Sequence, residues 1–220
     1  SSDLFHADGS SPGSITSTDF NLDMGPLYSG IVTTIGTIYY AYQNSHSGYI
    51  NVAGVLPDGS ALIPSFGIDG IVSNIFSTSS ISSQDVRVSL NNEGNILVSA
   101  ALGSDFYAAI LDINSGLVLP GYPLLIPIDG AIALSIKQVV GVSDGSFLLA
   151  GYDGANNGSM YVLRISSAGV LDVTFNSQGE SPGILPIRIG NVVAEFYGRI
   201  ASGLTMQSHI GGNQGNLIMS

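Results

Sequence analysis

Phe5-His6-Ala7-Asp8-Gly9-Ser10-Ser11-Pro12-Gly13 returns 170 residues later as Phe175-Asn176-Ser177-Gln178-Gly179-Glu180-Ser181-Pro182-Gly183. Phe, Gly, Ser, Pro and Gly recur at the same internal spacing. A shorter copy stands at Phe66-Gly67-Ile68-Asp69-Gly70. Self-similarity of this kind means that one supersecondary unit is stacked several times along the chain.

A second marker sets the length of the unit. Asn92-Glu93-Gly94-Asn95-Ile96-Leu97-Val98 matches Ser143-Asp144-Gly145-Ser146-Phe147-Leu148-Leu149 and Asn213-Gln214-Gly215-Asn216-Leu217-Ile218-Met219. Each is a polar-Gly pair followed by an apolar run. The pair supplies the positive φ of a tight hairpin, and the run is the strand that leaves it. Gly94, Gly145 and Gly215 are 51 and 70 residues apart, so the period is near sixty with loops of variable length. A further turn glycine recurs at Gly59, Gly116 and Gly169, each after a strand-like run such as Phe106-Tyr107-Ala108-Ala109-Ile110-Leu111.

These signals predict an all-β fold: a β-propeller-like array of about four blades, each of roughly four short antiparallel strands. The chain reads as a single β-repeat domain over residues 1–220. Its units fall approximately at 16–70, 71–125 and 126–179, with a partial unit at 180–220 and an N-terminal remnant at 1–15. Gly (29) and Pro (9) recur too often for long helices.

The third unit resembles the bacterial delta-sixty repeat. The residues that carry the resemblance are Asp144-Gly145, the strand ending in Ala150-Gly151, Arg164, and Gly169-Val170-Leu171-Asp172-Val173-Thr174-Phe175. The second unit departs from the pattern, with Gly116-Leu117-Val118-Leu119-Pro120 in place of the Gly-x-Leu-Asp-x-x-Phe element. The resemblance implies a propeller-like β fold of large secreted or surface proteins. It brings no catalytic residues.

Composition narrows the function. Hydrophobic residues make up 45% of the chain, enough to bury a core, and only 10% are charged. Net charge is −11 with five Lys and Arg: Arg87, Lys137, Arg164, Arg188 and Arg199. Nucleic-acid binding needs a basic footprint to displace counterions, so that class is excluded. Docking on an anionic membrane is disfavoured for the same reason, and no apolar run is long enough for a spanning helix. There is no cysteine, hence no disulfide or thiolate chemistry. Acidic charge, scarce Lys and abundant Ser, Gly and Asn fit an extracellular or cell-surface protein.

Candidate chemistry is sparse, and no enzyme is expected. Asp8, Asp58, Asp69, Glu93, Asp129, Asp144 and Asp153 each precede Gly, where Asp serves turn geometry. Glu180 and Glu195 have no evident acidic partner for glycoside chemistry. His6, His46 and His209 lack metal-site spacing. The loop at 153–159 offers oxygen donors to Ca²⁺, with Asp153, Asn156 and Asn157 as candidate ligands; the plainer reading is a hairpin tip. No other cofactor is expected. Tyr39, Tyr40, Tyr42, Tyr49, Tyr107, Tyr122, Tyr152 and Tyr161 serve either strand packing or stacking on a carbohydrate.

The two ends of the sequence are out of phase. Ser1 aligns near Leu171 and Ser220 near Ala150, so the equivalent of residues 151–170 (one loop, one strand and one turn) has no counterpart between them. Either the chain is a window from a longer repeat array, or the gap leaves an open strand site that another chain fills. The expectation is a non-enzymatic structural or adhesive protein that associates with itself, or with another surface protein, through open strand edges into a filament or surface layer; a glycoside-processing enzyme ranks last. The alternative is a monomeric propeller that binds carbohydrate or protein on one face.

Overall fold

The structure is a computed structural model that describes residues 24–77, 86–155 and 159–187, together with four short strands: β1 (Ser2–Asp3), β2 (Ser14–Ile15), β15 (Leu204–Gln207) and β16 (Asn216–Met219). Among the described residues there is no helix.

Three antiparallel sheets of four strands follow one another along the chain, each a simple meander. The first contains β3 (Met24–Val32), β4 (Ile38–Asn44), β5 (Tyr49–Val55) and β6 (Ile71–Ser77). The second contains β7 (Val86–Leu90), β8 (Asn95–Leu102), β9 (Asp105–Asp112) and β10 (Leu124–Pro127). The third contains β11 (Leu134–Gly141), β12 (Phe147–Asp153), β13 (Met160–Ile165) and β14 (Ile184–Ile187). The four blades expected from the sequence are thus replaced by three complete sheets and two two-stranded pieces, β1–β2 and β15–β16. Strand pairing also places the unit boundaries after β6 and β10, at 77 and 127, where the sequence division put them at 70 and 125.

Alternation along the strands explains the stacking. A strand turns successive side chains to opposite faces. In β8, Ile96, Val98 and Ala100 join a core with Tyr39, Ala41, Ile50 and Val52 of the first sheet. The intervening Leu97 and Ala101 join Phe147, Leu149, Leu163 and Ile165 of the third. The second sheet is therefore apolar on both faces because each face has a neighbour. Its long apolar runs are those of a buried strand. Small residues set the seam: a side chain at Gly151 would run into the ring of Phe106, whose end lies 2.6 Å from the ideal Cβ position.

The leading strands β3, β7 and β11 lie side by side. Val88 N–H donates to Ser29 Oγ at 3.2 Å, and Arg87 Nε donates to the Lys137 carbonyl at 3.3 Å.

Superposing the pairing registers shows the repeat in backbone terms. After the third strand, Val55, Leu111 and Ile165 bridge to Leu62, Val118 and Leu171. The next residue then donates its N–H back to the strand: Ile63 to Gly54 at 2.9 Å, Leu119 to Ile110 at 2.9 Å, and Asp172 to Arg164 at 2.8 Å. Three residues further stands an aromatic ring in every sheet: Phe66, Tyr122 and Phe175. The second sheet therefore keeps the element that its sequence disguises.

Candidate functional site

Asp58, Asp112, Asp144 and Asp172 are occupied by their own turns. Asp58 Oδ1 accepts from Ser60 N–H at 3.0 Å and Ser60 Oγ at 2.7 Å. Asp144 does the same with Ser146, and Asp172 with Thr174. Asp112 Oδ1 accepts from Asn114 N–H, Ser115 N–H and Ser115 Oγ. The Ser115 hydroxyl and N–H hold the Asp112 carboxyl below its usual range. Asp69 adopts a left-handed φ of 51° beside Gly70. Asp58 and Asp144 thus show the Asx geometry expected of Asp before Gly, and Asp112 and Asp172 show it without a following Gly.

Asp153 is different. It is fully buried at the end of β12, where its Oδ1 accepts from Ala133 N–H and Ala155 N–H, both at 3.0 Å, and its Oδ2 from Ile132 N–H at 3.1 Å. The carboxylate thus ties the connection between β10 and β11 to the third sheet. Asn156 and Asn157, the other candidate Ca²⁺ ligands, lie outside the described residues. Among the described residues, no three His, Cys, Asp or Glu side chains come together as a metal would require. His46 sits exposed at the β4–β5 turn, its Nδ1 3.3 Å from Ser45 Oγ. His6, His209 and Glu195 are outside the described residues.

Arg164 gathers two aspartates of the third unit, Asp144 and Asp172. Its guanidinium pairs with Asp144, its Nε lies 3.4 Å from Asp172 Oδ2, and Nε also donates to Ser146 Oγ at 3.2 Å. Partial burial works against the ionised Asp144, but the Ser146 hydroxyl and N–H and the Arg164 charge outweigh it and lower its pKa. Asp172 is lowered by the Thr174 hydroxyl first, against some desolvation, and by Arg164. This clasp joins three segments of one sheet. Its charges satisfy one another and serve the fold, an arrangement that also perturbs pKa values without catalysis.

The tyrosines pack between strands. Tyr39, Tyr40 and Tyr42 are buried in β4, and Tyr39 Oη donates to the Ile113 carbonyl of the second sheet at 3.0 Å. Tyr122 donates across the next seam to the Gly169 carbonyl of the third sheet. The Lys137 ammonium sits 4.6 Å from the centre of the Tyr152 ring. Tyr49 alone of the eight is exposed, and Tyr107, Tyr122, Tyr152 and Tyr161 are half-buried.

Strand edges remain, and they differ. The last strand of each complete sheet is blunted. Pro127 ends β10 and Pro186 interrupts β14, and proline has no N–H to offer a further strand. In β6 the register slips opposite Asn51, and Asn74 takes a φ of 59° while its N–H donates to Asn51 Oδ1 at 2.9 Å. That bulge bends the edge away from regular pairing. β16 has none of these devices. Its sequence is Asn-Leu-Ile-Met, residues 211–220 carry no charge, and among the described strands it pairs with β15 alone. The edge prolines stand in the sequence as Pro127 and Pro186, but their meaning depends on knowing which strands end a sheet.

No protein-family model matches the chain, and no curated protein matches it.

Proposed function

We propose that this chain is a non-enzymatic, extracellular structural or adhesive module. It is a propeller-like stack of delta-sixty-type repeats that associates with other chains through an open strand edge. The observation that carries the reading is the contrast among edges. Complete sheets end in proline or a bulge, whereas β16 ends in an uncharged apolar strand with one paired side among the described strands. An unpaired edge of this kind templates addition of a further strand through main-chain hydrogen bonds. The clasp and the turn carboxylates are engaged in the fold, which supports a structural reading over a catalytic one.

Light scattering coupled to size-exclusion chromatography tests this. The wild-type chain is expected to self-associate as its concentration rises. Leu217→Lys with Met219→Lys places charge on the edge and is expected to reduce the associated fraction at least tenfold, with the β-sheet circular dichroism unchanged. A wild-type chain that stays monomeric at millimolar concentration overturns the proposal.

A further inference from the structure

In a four-stranded meander, the turn after the first strand and the connection after the third leave the sheet at the same end. The three complete sheets also share that end. The Ser115 carbonyl accepts from Gly67 N–H at 2.8 Å, Asn91 Nδ2 donates to the Gly145 carbonyl at 2.6 Å, and Tyr122 Oη donates to the Gly169 carbonyl. Each bond joins a turn or connection of one sheet to its counterpart in the next. One end of the stack is therefore a surface built from the turns 33–37, 91–95 and 142–146 and the connections 56–70, 112–123 and 166–183.

Two properties of this surface do not serve the fold. The first is apolar exposure. Ile35, Ile68, Leu117, Val118, Val170 and Val173 are exposed there, Ile68 at 81% and Leu117 at 71%, and none of them joins a core between the sheets. Leu117 and Val170 directly follow the turn glycines Gly116 and Gly169, where the first sheet has Ser60 after Gly59. A polar residue thus satisfies the same turn. These side chains are also gathered across the seams. Gly116 packs so closely on the first sheet that an added Cβ would stand 2.6 Å from the Gly67 nitrogen, so Ile68 and Leu117 follow directly on two residues in contact. Val170 follows Gly169, which Tyr122 of the second sheet holds. Apolar residues scattered singly on a surface are ordinary, whereas a gathered set marks a contact site.

The second property is charge. The same turns and connections carry Asp58, Asp69, Glu93, Asp112, Asp144, Asp172 and Glu180, and Arg164 is the cation paired to them; seven acids less one cation leave −6. The other two cations among the described residues, Arg87 and Lys137, lie within β7 and β11. At the seam between the second and third sheets, the Glu93 carboxylate lies against Gly145, next to Asp144.

We propose that this end of the stack docks a cationic polypeptide segment bearing aliphatic side chains. Ile68, Leu117 and Val170 receive the aliphatic groups, and the surrounding carboxylates receive lysine or arginine. Charge selects this occupant. A second copy would set the same acidic surface against itself, and the whole chain holds only five Lys and Arg with which to answer it. Nucleic acid and anionic membrane carry the same sign as the surface. The exposed side chains are aliphatic and offer no ring to stack on a sugar. None of these residues belongs to β16, so the surface stands apart from the open strand edge.

Fluorescence anisotropy of a labelled peptide of alternating leucine and lysine tests the surface, with an all-lysine peptide and an alternating leucine–glutamate peptide of the same length as controls. The full chain is expected to bind the leucine–lysine peptide saturably, about tenfold more tightly than either control. Leu117→Ser with Val170→Ser copies Ser60 of the first sheet and is expected to weaken binding about tenfold, with circular dichroism and melting temperature unchanged. Asp58→Asn with Glu93→Gln keeps the acceptor in the Asp58 turn, and should weaken binding and flatten its salt dependence. Hydrogen exchange on peptide binding should slow at 67–70 and 115–118 and stay unchanged at 128–133. The proposal is overturned if the leucine–lysine peptide does not bind, if Leu117→Ser with Val170→Ser leaves binding unchanged, or if protection appears at 128–133 instead. Equal binding of the all-lysine peptide overturns the apolar contact, and equal binding of the leucine–glutamate peptide overturns the charge selection. A dimer in light scattering that Leu117→Ser with Val170→Ser dissolves assigns the surface to a second copy and overturns the cationic partner. The strand edge is read separately: a monomeric chain that binds the peptide loses self-association and keeps this surface, and a self-associating chain that ignores the peptide does the reverse.

Discussion

In the second sheet Leu119 donates its N–H to Ile110; in the third, Asp172 donates its N–H to Arg164 by the same backbone bond. Ile110 is fully buried and Leu119 packs against the same core between the sheets. Arg164 and Asp172 instead form a partly solvated ion pair, joined by Asp144. One backbone position therefore accepts either apolar contact or charge. What it requires is the turn that brings residue 119 or 172 back to its strand, because the bond is made by main-chain atoms. The side chains at this place fill the space that turn leaves.

If that reading is right, the seam between the sheets should matter far more than the clasp. Phe106 is fully buried in that seam, against the space left by Gly151. Phe106→Ala is expected to lower unfolding stability by about 3–5 kcal/mol, the range for a buried phenylalanine truncated in a packed core. Urea unfolding followed by circular dichroism measures it. A loss smaller than that of the clasp exchange below would reverse the comparison.

Tyr122 sharpens the contrast, since it occupies in the second sheet the place of Phe66 and Phe175 but spans the seam to Gly169. Burial pushes its hydroxyl pKa upward, so it stays protonated and donates. Tyr122→Phe keeps the ring and removes the bond. The expected loss is about 1 kcal/mol, with the Gly169 carbonyl left to find another donor.

The smallest effect concerns the clasp itself. Arg164→Ile with Asp172→Leu copies the second sheet into the third. At neutral pH the change in stability should stay within about 1 kcal/mol, as for exposed ion pairs. The signature lies in pH. Asp144 and Asp172 both have lowered pKa values in the folded chain. A carboxylate with a lowered folded pKa stabilises the fold fully above its unfolded value of about 3.9, and that stability is lost as pH falls through the folded value. The double variant should therefore lose less stability than wild type between about pH 5 and pH 2. Parallel curves would show that the clasp does not couple to folding.

The same comparison explains what could be read from the residues. The third unit was legible because Asp144, Arg164, Asp172 and Phe175 are distinctive residue types at fixed spacing. The second unit was illegible at this place because Ile110, Leu119 and Tyr122 keep the geometry with ordinary apolar residues. Which strand closes the first sheet is not legible for a related reason. Ile71–Ser77 follows the Phe66–Gly70 marker closely, and only its pairing with β5 assigns it to the sheet before. The glycine after Asp153 marks a turn, and the loop at 153–159 offers oxygen donors to Ca²⁺. The buried role of Asp153 in holding the N–H groups of residues 132, 133 and 155 depends on a segment twenty residues away along the chain.

The sequence by itself determined the repeat, the hairpin turns and the all-β character. These are local matters: a positive φ at a polar-Gly pair and an apolar run of strand length are set by neighbouring residues. Tertiary structure decided how many sheets are complete, which faces are buried and which edges are blunted. Strand pairing and face burial join residues that are distant in sequence. Whether an apolar side chain such as Leu97 faces a neighbouring sheet or water follows from the stack around it, and no local pattern encodes that neighbour.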